Sequence, residues 1–559
     1  MNDIIIVKPE KCVGCNACVR TCPAPEANST RQLDDGRFVT TVNPSKCIAC
    51  GECVRTCAHG ARDYVDDTQA FMSVMEKESV IILATPSIKT AFPDKWKSLL
   101  MYFKNKGHII YDVSFGADIC TWAHLRQIQN GRLGSTISQP CAAIVKYIET
   151  YQPKLLRNLS PIHSPISCEA VYIKKYLHRI NKIAVLSPCV AKKQEFMETG
   201  LIDFNVTFKK LADYFEKCGI GLPFDRDPSN FSFPFEQEQG QVGAVYPRPG
   251  GLRDNLWLHD PDLNITTSEG VSKVYPELDL YARTPEAKCP QLFDVLSCEH
   301  GCNTGPGTGH MHTVFDVTDV MRGVEREAKS RRKTAGIFRG SEDKLFKRFD
   351  AELNVNDFTR TYKRGTPSEM PTASQLDEVY KTMGKHTEEQ RHYNCHACGY
   401  ASCEAMATAI FRGLNTPDNC IVHAKEVLIA RHSSLALQHE KLAEIADECR
   451  DLSGTLETNV DGIVHKMSDV KLSAADMTTL QMKVQSLLGN IITFCEAHDD
   501  LDADSLKQLI DIIKTTNDAF GSLGLSIKDV VKHSDDVGNF VAEIRRLTDD
   551  INAAIAKNI

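Results

Sequence analysis

No stretch of about 18 consecutive apolar residues occurs in the 559-residue chain, so a membrane-spanning helix is not expected. There is no excess of positive charge either. Lys and Arg number 65 against 73 Asp and Glu, a formal net charge of −8. A broad basic surface for nucleic acid is therefore not expected. The start, Met1-Asn2-Asp3 and then Ile4-Ile5-Ile6-Val7 and Lys8, lacks the basic flank and the length of a secretory signal. These absences predict a cytoplasmic protein with no membrane and no nucleic-acid partner. Proline is missing after Pro417, so nothing there interrupts a long helix.

Cysteine is plentiful, at 22 residues. In a large chain without a secretory signal, cysteines at short spacings point to metal rather than to disulfides. Cys120, Cys168, Cys218, Cys289, Cys449 and Cys495 stand alone and read as small buried hydrophobes. All the others fall in motifs. Cys12, Cys15, Cys18 and Cys22 follow C-x2-C-x2-C-x3-C with Pro23 after them. Cys47, Cys50, Cys53 and Cys57 repeat the run with Ala58 in place of the proline. Two-residue gaps let three thiolates wrap one cubane, and the fourth cysteine serves the other cluster. One [4Fe–4S] cluster is thus expected on Cys12, Cys15, Cys18 and Cys57, and a second on Cys47, Cys50, Cys53 and Cys22.

Residues 1–78 are read as this ferredoxin-like two-cluster module. Residues 79–363 alternate strand-like and helix-like stretches. Val80-Ile81-Ile82-Leu83-Ala84 and Ile183-Ala184-Val185-Leu186 read as buried strands that end at Pro or Ser-Pro. That alternation predicts an α/β architecture with functional loops after the strands. Residues 364–390 read as a linker, and 391–430 as a small cysteine-rich module. Beyond it, 431–559 read as all-α. Leu442, Ile445, Cys449, Leu452 and Leu456 recur at alternating steps of three and four. The stripe resumes at Val460, Ile463, Met467 and Val470 after one irregular step. This is a coiled-coil-like pattern with a stutter, whose apolar stripe needs a partner surface. An intramolecular bundle and a dimerising signalling helix both satisfy it.

Cys395, Cys398, Cys403 and Cys420 are spaced C-x2-C-x4-C-x16-C around Gly399-Tyr400. This segment resembles the small four-cysteine iron–sulfur domain of corrinoid and electron-transport proteins. The resemblance implies a third [4Fe–4S] cluster, although four thiolates also suit zinc.

The central region places cysteines in three loops: Ser138-Gln139-Pro140-Cys141, Leu186-Ser187-Pro188-Cys189-Val190-Ala191-Lys192, and Leu296-Ser297-Cys298-Glu299-His300-Gly301-Cys302. In order and context these loops resemble the signatures of the [FeFe]-hydrogenase active-site domain, over roughly residues 80–320. The resemblance implies that Cys141, Cys189, Cys298 and Cys302 hold the [4Fe–4S] part of an H-cluster. Cys302 is then the bridge to a two-iron subsite carrying CO, cyanide and a dithiolate amine. Lys192 matches the lysine that hydrogen-bonds one cyanide, and Pro86 and Ser87 match the segment that contacts the other. Phe115-Gly116-Ala117-Asp118 matches a further family stretch. H2 and protons are the implied substrates.

The chain also departs from the family. Pro140 replaces the cysteine that starts the proton path of fast hydrogenases, and proline has no donor to relay a proton. Gln127 aligns with the first glutamate of that path and Pro161 with its serine, while Glu195 stands at the second glutamate. Ser187 and Leu296 replace methionines that pack beside the two-iron unit. These changes predict a slow enzyme, resembling the sensory [FeFe]-hydrogenases. In that reading a redox or signalling protein partner reads the redox state, and the C-terminal helices form a homodimer. The alternatives are a metabolic, ferredoxin-linked hydrogenase and a non-catalytic iron–sulfur scaffold.

Overall fold

A computed structural model describes residues 4–225, 233–309, 312–334, 344–366, 368–497 and 502–558. The described chain divides into two compact units, Met1–Ala424 and Lys425–Ile559. The first is mixed α/β. Its short N-terminal strands pair antiparallel, β1 (Ile5–Val7) with β4 (Arg62–Tyr64) and β2 (Asn28–Gln32) with β3 (Phe38–Val42). The two cysteine runs lie in the loops between them. Each run passes through a left-handed residue, Asn16 before the helix Ala17–Arg20 and Gly51 before the helix Glu52–Thr56.

Two parallel sheets form the central region. One has the order β6-β5-β8-β9, built from β5 (Ile81–Ala84), β6 (Ile109–Asp112), β8 (Ile183–Ser187) and β9 (Phe204–Thr207). The other has the order β10-β11-β7, built from β7 (Thr136–Ile137), β10 (Ile265–Glu269) and β11 (Leu292–Leu296). Every residue of β5 and β8 is buried, as expected of parallel strands covered on both faces. That is why these segments read as continuous apolar runs rather than alternating ones. Helices cover the sheets, and Ser114–Gln129 is buried along nearly its whole length. The loops after β5, β7, β8 and β11 leave the carboxyl ends of the strands together, where α/β sheets present their sites.

Residues 364–390 are not the bare linker expected from sequence. The helix Ala373–Thr382 starts there on a capping box, in which Thr372 and Gln375 satisfy each other's exposed amides. Tyr380 and Met383 then pack with Cys398, Cys403, Met406, Ala407 and Cys420. The segment supplies part of a core that residues 391–430 are too short to make alone.

The second unit is formed by two long helices, from Ile421–Glu496 and Ala503–Asn558. Ser453 meets Asn552 at 2.8 Å, Asp461 meets Arg545, and Lys471 meets Asp535 at 2.5 Å. Residue numbers fall on one helix as they rise on the other, so the pair is antiparallel. The buried positions of the first helix include Ala446, Ser453, Val460, Ala474 and Gln481, all on one heptad position. Ile513, Ile527, Ser534, Val541 and Thr548 share one heptad position on the second. This seam shares Val460 with the stripe singled out from sequence but leaves most of the stripe outside. Leu442, Ile445, Leu452, Leu456, Ile463 and Val470 are exposed, Leu452 by 69%. Small residues in the seam let the helices approach and leave the larger apolar side chains outside.

Candidate functional site

The loops after β5, β7, β8 and β11 enclose a cavity of about 90 Å3. Cys141, Cys189, Cys298 and Cys302 line it, with Ser87, Lys192 and Pro140. Hydrogen bonds fix each loop. Thr85 Oγ1 donates to the Leu186 carbonyl at 2.8 Å, locking the end of β5 to that of β8. Ser138 Oγ accepts from the Val295 amide at 2.9 Å, locking β7 to β11. The Cys189 amide donates to Ser187 Oγ at 3.0 Å, so Ser187 holds the loop where the family has methionine.

The third loop shows why it is rich in glycine. Gly301 has φ of 84°, and a Cβ there would lie 2.3 Å from the Pro247 carbonyl oxygen, to which the Cys302 amide donates. Gly307 lies as close against Pro188. Both approaches exclude a side chain. The Gly305-Pro306-Gly307 sequence is thus fitted to the second loop.

Burial raises the Cys189 thiol to about 11. It raises Cys298 and Cys302 further, and the neighbouring thiols reinforce the shift in each. Among the described residues no three Cys, His, Asp or Glu side chains stand close enough to hold one metal ion. Four thiols spread around a void suit a multi-iron group. The cavity also presents an unanswered donor. Ser87 is fully buried and its hydroxyl has no partner among the described residues. A buried hydroxyl of this kind costs about 1–3 kcal/mol unless a ligand satisfies it. The donor set therefore fits an H-cluster: four thiols, a free hydroxyl and a buried cation.

That cation is Lys192. Its Nζ donates to Glu195 Oε2 at 2.5 Å, and both side chains are buried. Burial alone would raise the Glu195 carboxyl, but Lys192 and Arg360 outweigh it and hold the carboxyl below its ordinary range. Aligning Pro161 with the relay serine left Glu195 without a hydroxyl partner. The structure supplies two, because Ser164 caps the helix Pro165–Val171 and turns inward together with Ser167. Ser164 Oγ donates to Glu195 Oε1 at 2.5 Å and Ser167 Oγ at 2.7 Å. Gln127 lies away from the cavity, in the wall of a larger open pocket.

The N-terminal cysteines fall into two groups. Cys22, Cys47, Cys50 and Cys53 are close enough to raise one another's thiols. Cys57 packs instead against Cys12, and Cys12 and Cys18 share Thr40 Oγ1 at 3.8 and 3.4 Å. Cys15 is exposed in the same loop. Sequence reading missed Arg62, which is buried and donates to Cys18 Sγ at 3.2 Å and to Thr40 at 2.8 Å. Its only sequence signal is a lone cation just after the second cysteine run. The Cys22 group adjoins the cavity. Ala49, Cys47 and Cys50 share a core with Cys141 and Cys189, and Gly51 packs on Pro306.

The small module lies on the other side. Cys398, Cys403 and Cys420 are buried together, and Cys395 is exposed beside them. Asn16 Nδ2 donates to Asn419 Oδ1 at 3.0 Å. Gly399 sits so close to Asn16 and Val19 that a Cβ would lie 2.9 Å from each. Tyr400 is near enough to feel both Cys398 and Cys22.

Comparison with known families gives three matches, in chain order. Residues 4–58 match the 4Fe-4S dicluster domain, and residues 78–260 match the iron only hydrogenase large subunit, C-terminal domain. Residues 392–422 match a short Fe-S cluster family. No curated protein is significantly similar to the chain. Among solved structures, an apo variant of the [FeFe]-hydrogenase HydA1 from Chlamydomonas reinhardtii aligns with a TM-score of 0.40 at 14% identity. The alignment covers 54% of this chain and 100% of that one. Another variant of that enzyme gives 0.38 at the same identity and coverage. At these scores the chemistry has to be argued from the site. Among the described residues no helix is long and apolar enough to cross a membrane.

Proposed function

We propose that this hydrogenase-like iron–sulfur protein is a sensory [FeFe]-hydrogenase, catalysing H2 ⇌ 2H+ + 2e− slowly and passing its redox state to a partner protein. The observation that carries the reading is the convergence of Cys141, Cys189, Cys298 and Cys302 on a cavity with the unpartnered Ser87 hydroxyl and the buried Lys192. When bound, the H-cluster supplies the site for H2 and the first acceptor of its electrons. The chain's own residues do the rest. Cys141, Cys189, Cys298 and Cys302 would hold the group. Lys192 and Ser87 donate hydrogen bonds to its anionic ligands, and the strand-end loops exclude water. Charge-assisted bonds of this kind are about twice as strong as neutral ones.

Slow turnover follows from the cavity wall. Pro140 stands where a proton donor is needed, and it has neither a side-chain nor a backbone hydrogen to give. Each 1.4 kcal/mol added to the barrier slows turnover about tenfold. Electrons have a path outward. In this reading Cys22, Cys47, Cys50 and Cys53 hold the cluster beside the cavity, and Cys12, Cys15, Cys18 and Cys57 hold the next. Cys395, Cys398, Cys403 and Cys420 hold a third, at the start of the helical region. The exposed Leu442, Ile445, Leu452, Leu456, Ile463 and Val470 support a homodimer through those helices.

The test is infrared spectroscopy of protein matured with the H-cluster machinery, followed by a turnover assay. Bands from iron-bound CO and cyanide, together with slow turnover, are expected. Absence of those bands removes the hydrogenase reading and leaves an iron–sulfur scaffold. Fast turnover would point to a metabolic enzyme. Pro140→Cys alone should not restore full speed, since Gln127 still interrupts the path.

A further inference from the structure

Two of the isolated cysteines lie directly behind the cavity wall. Cys120 and Cys168 are fully buried, and both thiols donate to the His163 carbonyl, at 3.4 and 3.3 Å. Cys120 sits on the helix Ser114–Gln129, one turn after Ala117, which lines the cavity. Gln139, next to Pro140, turns its amide toward Cys120 Sγ at 3.9 Å. Tyr246 also lines the cavity, and its hydroxyl bonds Thr121 Oγ1 at 2.8 Å.

One turn further along the helix is His124, fully buried. Its Nδ1 lies 2.8 Å from the Cys120 carbonyl and 3.7 Å from Cys120 Sγ. A carbonyl only accepts, so Nδ1 carries a hydrogen. Nε2 meets Ser160 Oγ at 2.9 Å. Ser160 is flanked by Leu159 and Pro161, and both of these line an open pocket of about 1070 Å3. Three fully buried groups able to exchange protons therefore lie within the wall between the cavity and that pocket.

We propose that Cys120, His124 and Ser160 form the proton relay of this protein, bypassing the positions blocked by Pro140 and Pro161. The inference rests on the hydrogenase reading for its purpose, and on geometry alone for its connectivity. For each proton passed inward, Ser160, buried just beneath the pocket wall formed by Leu159 and Pro161, takes one from the pocket side and gives its own to His124 Nε2. Cys120 gives its thiol proton toward the cavity, and the thiolate so formed takes the Nδ1 hydrogen of His124. One proton enters and one leaves, no electron moves, and a tautomer exchange of the imidazole resets the ring. The reverse order serves H2 oxidation.

The electrostatics are consistent with transfer near neutral pH. Burial alone would raise the Cys120 thiol, but hydrogen bonding with Cys168 and the charge of His124 outweigh it and bring the thiol down to about 5. Burial alone would lower His124, but the Cys120 charge prevails and raises it. The other ionisable groups facing the pair are Tyr246, Cys168, Asp294 and Tyr362. Burial raises the first two and Tyr362 and holds them neutral. It also raises Asp294, to about 6.

The experiment uses the full-length chain and the variants Cys120→Ala and His124→Gln, each in two forms. In protein lacking the two-iron group, ultraviolet thiolate absorbance and the infrared S–H band are followed with pH. Subtracting Cys120→Ala isolates the Cys120 signal. A Cys120 thiol that titrates below the ordinary thiol range in the parent and loses that shift in His124→Gln is expected. In matured protein, turnover should fall by about a hundredfold in either variant, within the range general acid–base groups supply. The CO and cyanide bands should be unchanged and the pH profile altered. Turnover and pH profile equal to the parent in a variant with intact bands would overturn the relay. So would a Cys120 signal indifferent to His124. A parent without CO and cyanide bands would remove the hydrogenase reading instead, and the thiolate titration would still decide the pair.

Discussion

A single unpartnered hydroxyl distinguishes the cavity from an ordinary core. Ser87→Ala removes a buried donor that has no partner among the described residues. Protein without the two-iron group should therefore gain about 1 kcal/mol of stability. Matured protein should lose stability on the same change. Thermal melts of the two forms check the reversal of sign, and a loss of stability in both would mean that Ser87 has an unseen partner. Acidity acts at the same scale. Burial lowers His163 to about 4, so the unfolded chain, with histidine near 6.5, binds the proton first as pH falls. Stability is highest above about 6.5 and declines toward about 4. Glu195, held below its ordinary range, adds a loss in the same direction at lower pH. The melting temperature should fall through this window in the parent and more gently in His163→Gln. Parallel curves would remove His163 from the account.

At the scale of elements, the helical hairpin carries two apolar surfaces, and its own chain covers only one. The seam of Ala446, Ser453, Val460 and Ala474 is buried, while Leu442, Ile445, Leu452 and Leu456 face outward. Replacing these four with Glu should leave helix content unchanged and convert a dimer of the full chain to a monomer. Sedimentation of parent and variant tests this. Equal masses would show that the stripe serves another partner or none. The periodicity of the stripe was legible in the sequence because an apolar period near 3.5 marks a helix. Its location was not, because small residues such as Ala446 and Ser453 carry little hydrophobic signal yet permit the closest approach.

At the scale of the whole first unit, the four-cysteine module is anchored by close backbone approach as well as by side chains. Gly399 has no room for a Cβ beside Asn16 and Val19, and each of these neighbours a cysteine of the first run. Gly399→Leu should displace the module while leaving its own Cys398, Cys403 and Cys420 core intact. Magnetic interaction between reduced clusters, measured by electron paramagnetic resonance, should weaken in this variant while the cluster count stays the same. An unchanged spectrum would place electron exit elsewhere.

The sequence by itself determined what local chemistry can encode. The two cysteine runs, the buried strands and the long helices follow from spacing and periodicity, and the three central loops from their resemblance to a known family. The replacement of a relay cysteine by Pro140 is equally plain, because one residue type excludes proton transfer wherever it sits. The tertiary structure decided what depends on residues far apart in the chain. It brought Ser164 and Ser167 to Glu195, Arg62 to Cys18, and Gly399 to Asn16. It also gave Cys120 and His124, each unremarkable in the sequence, a shared position between a closed cavity and open solvent. Burial and proximity turn a thiol and an imidazole into a pair, and both arise only when sheets and helices close over one another.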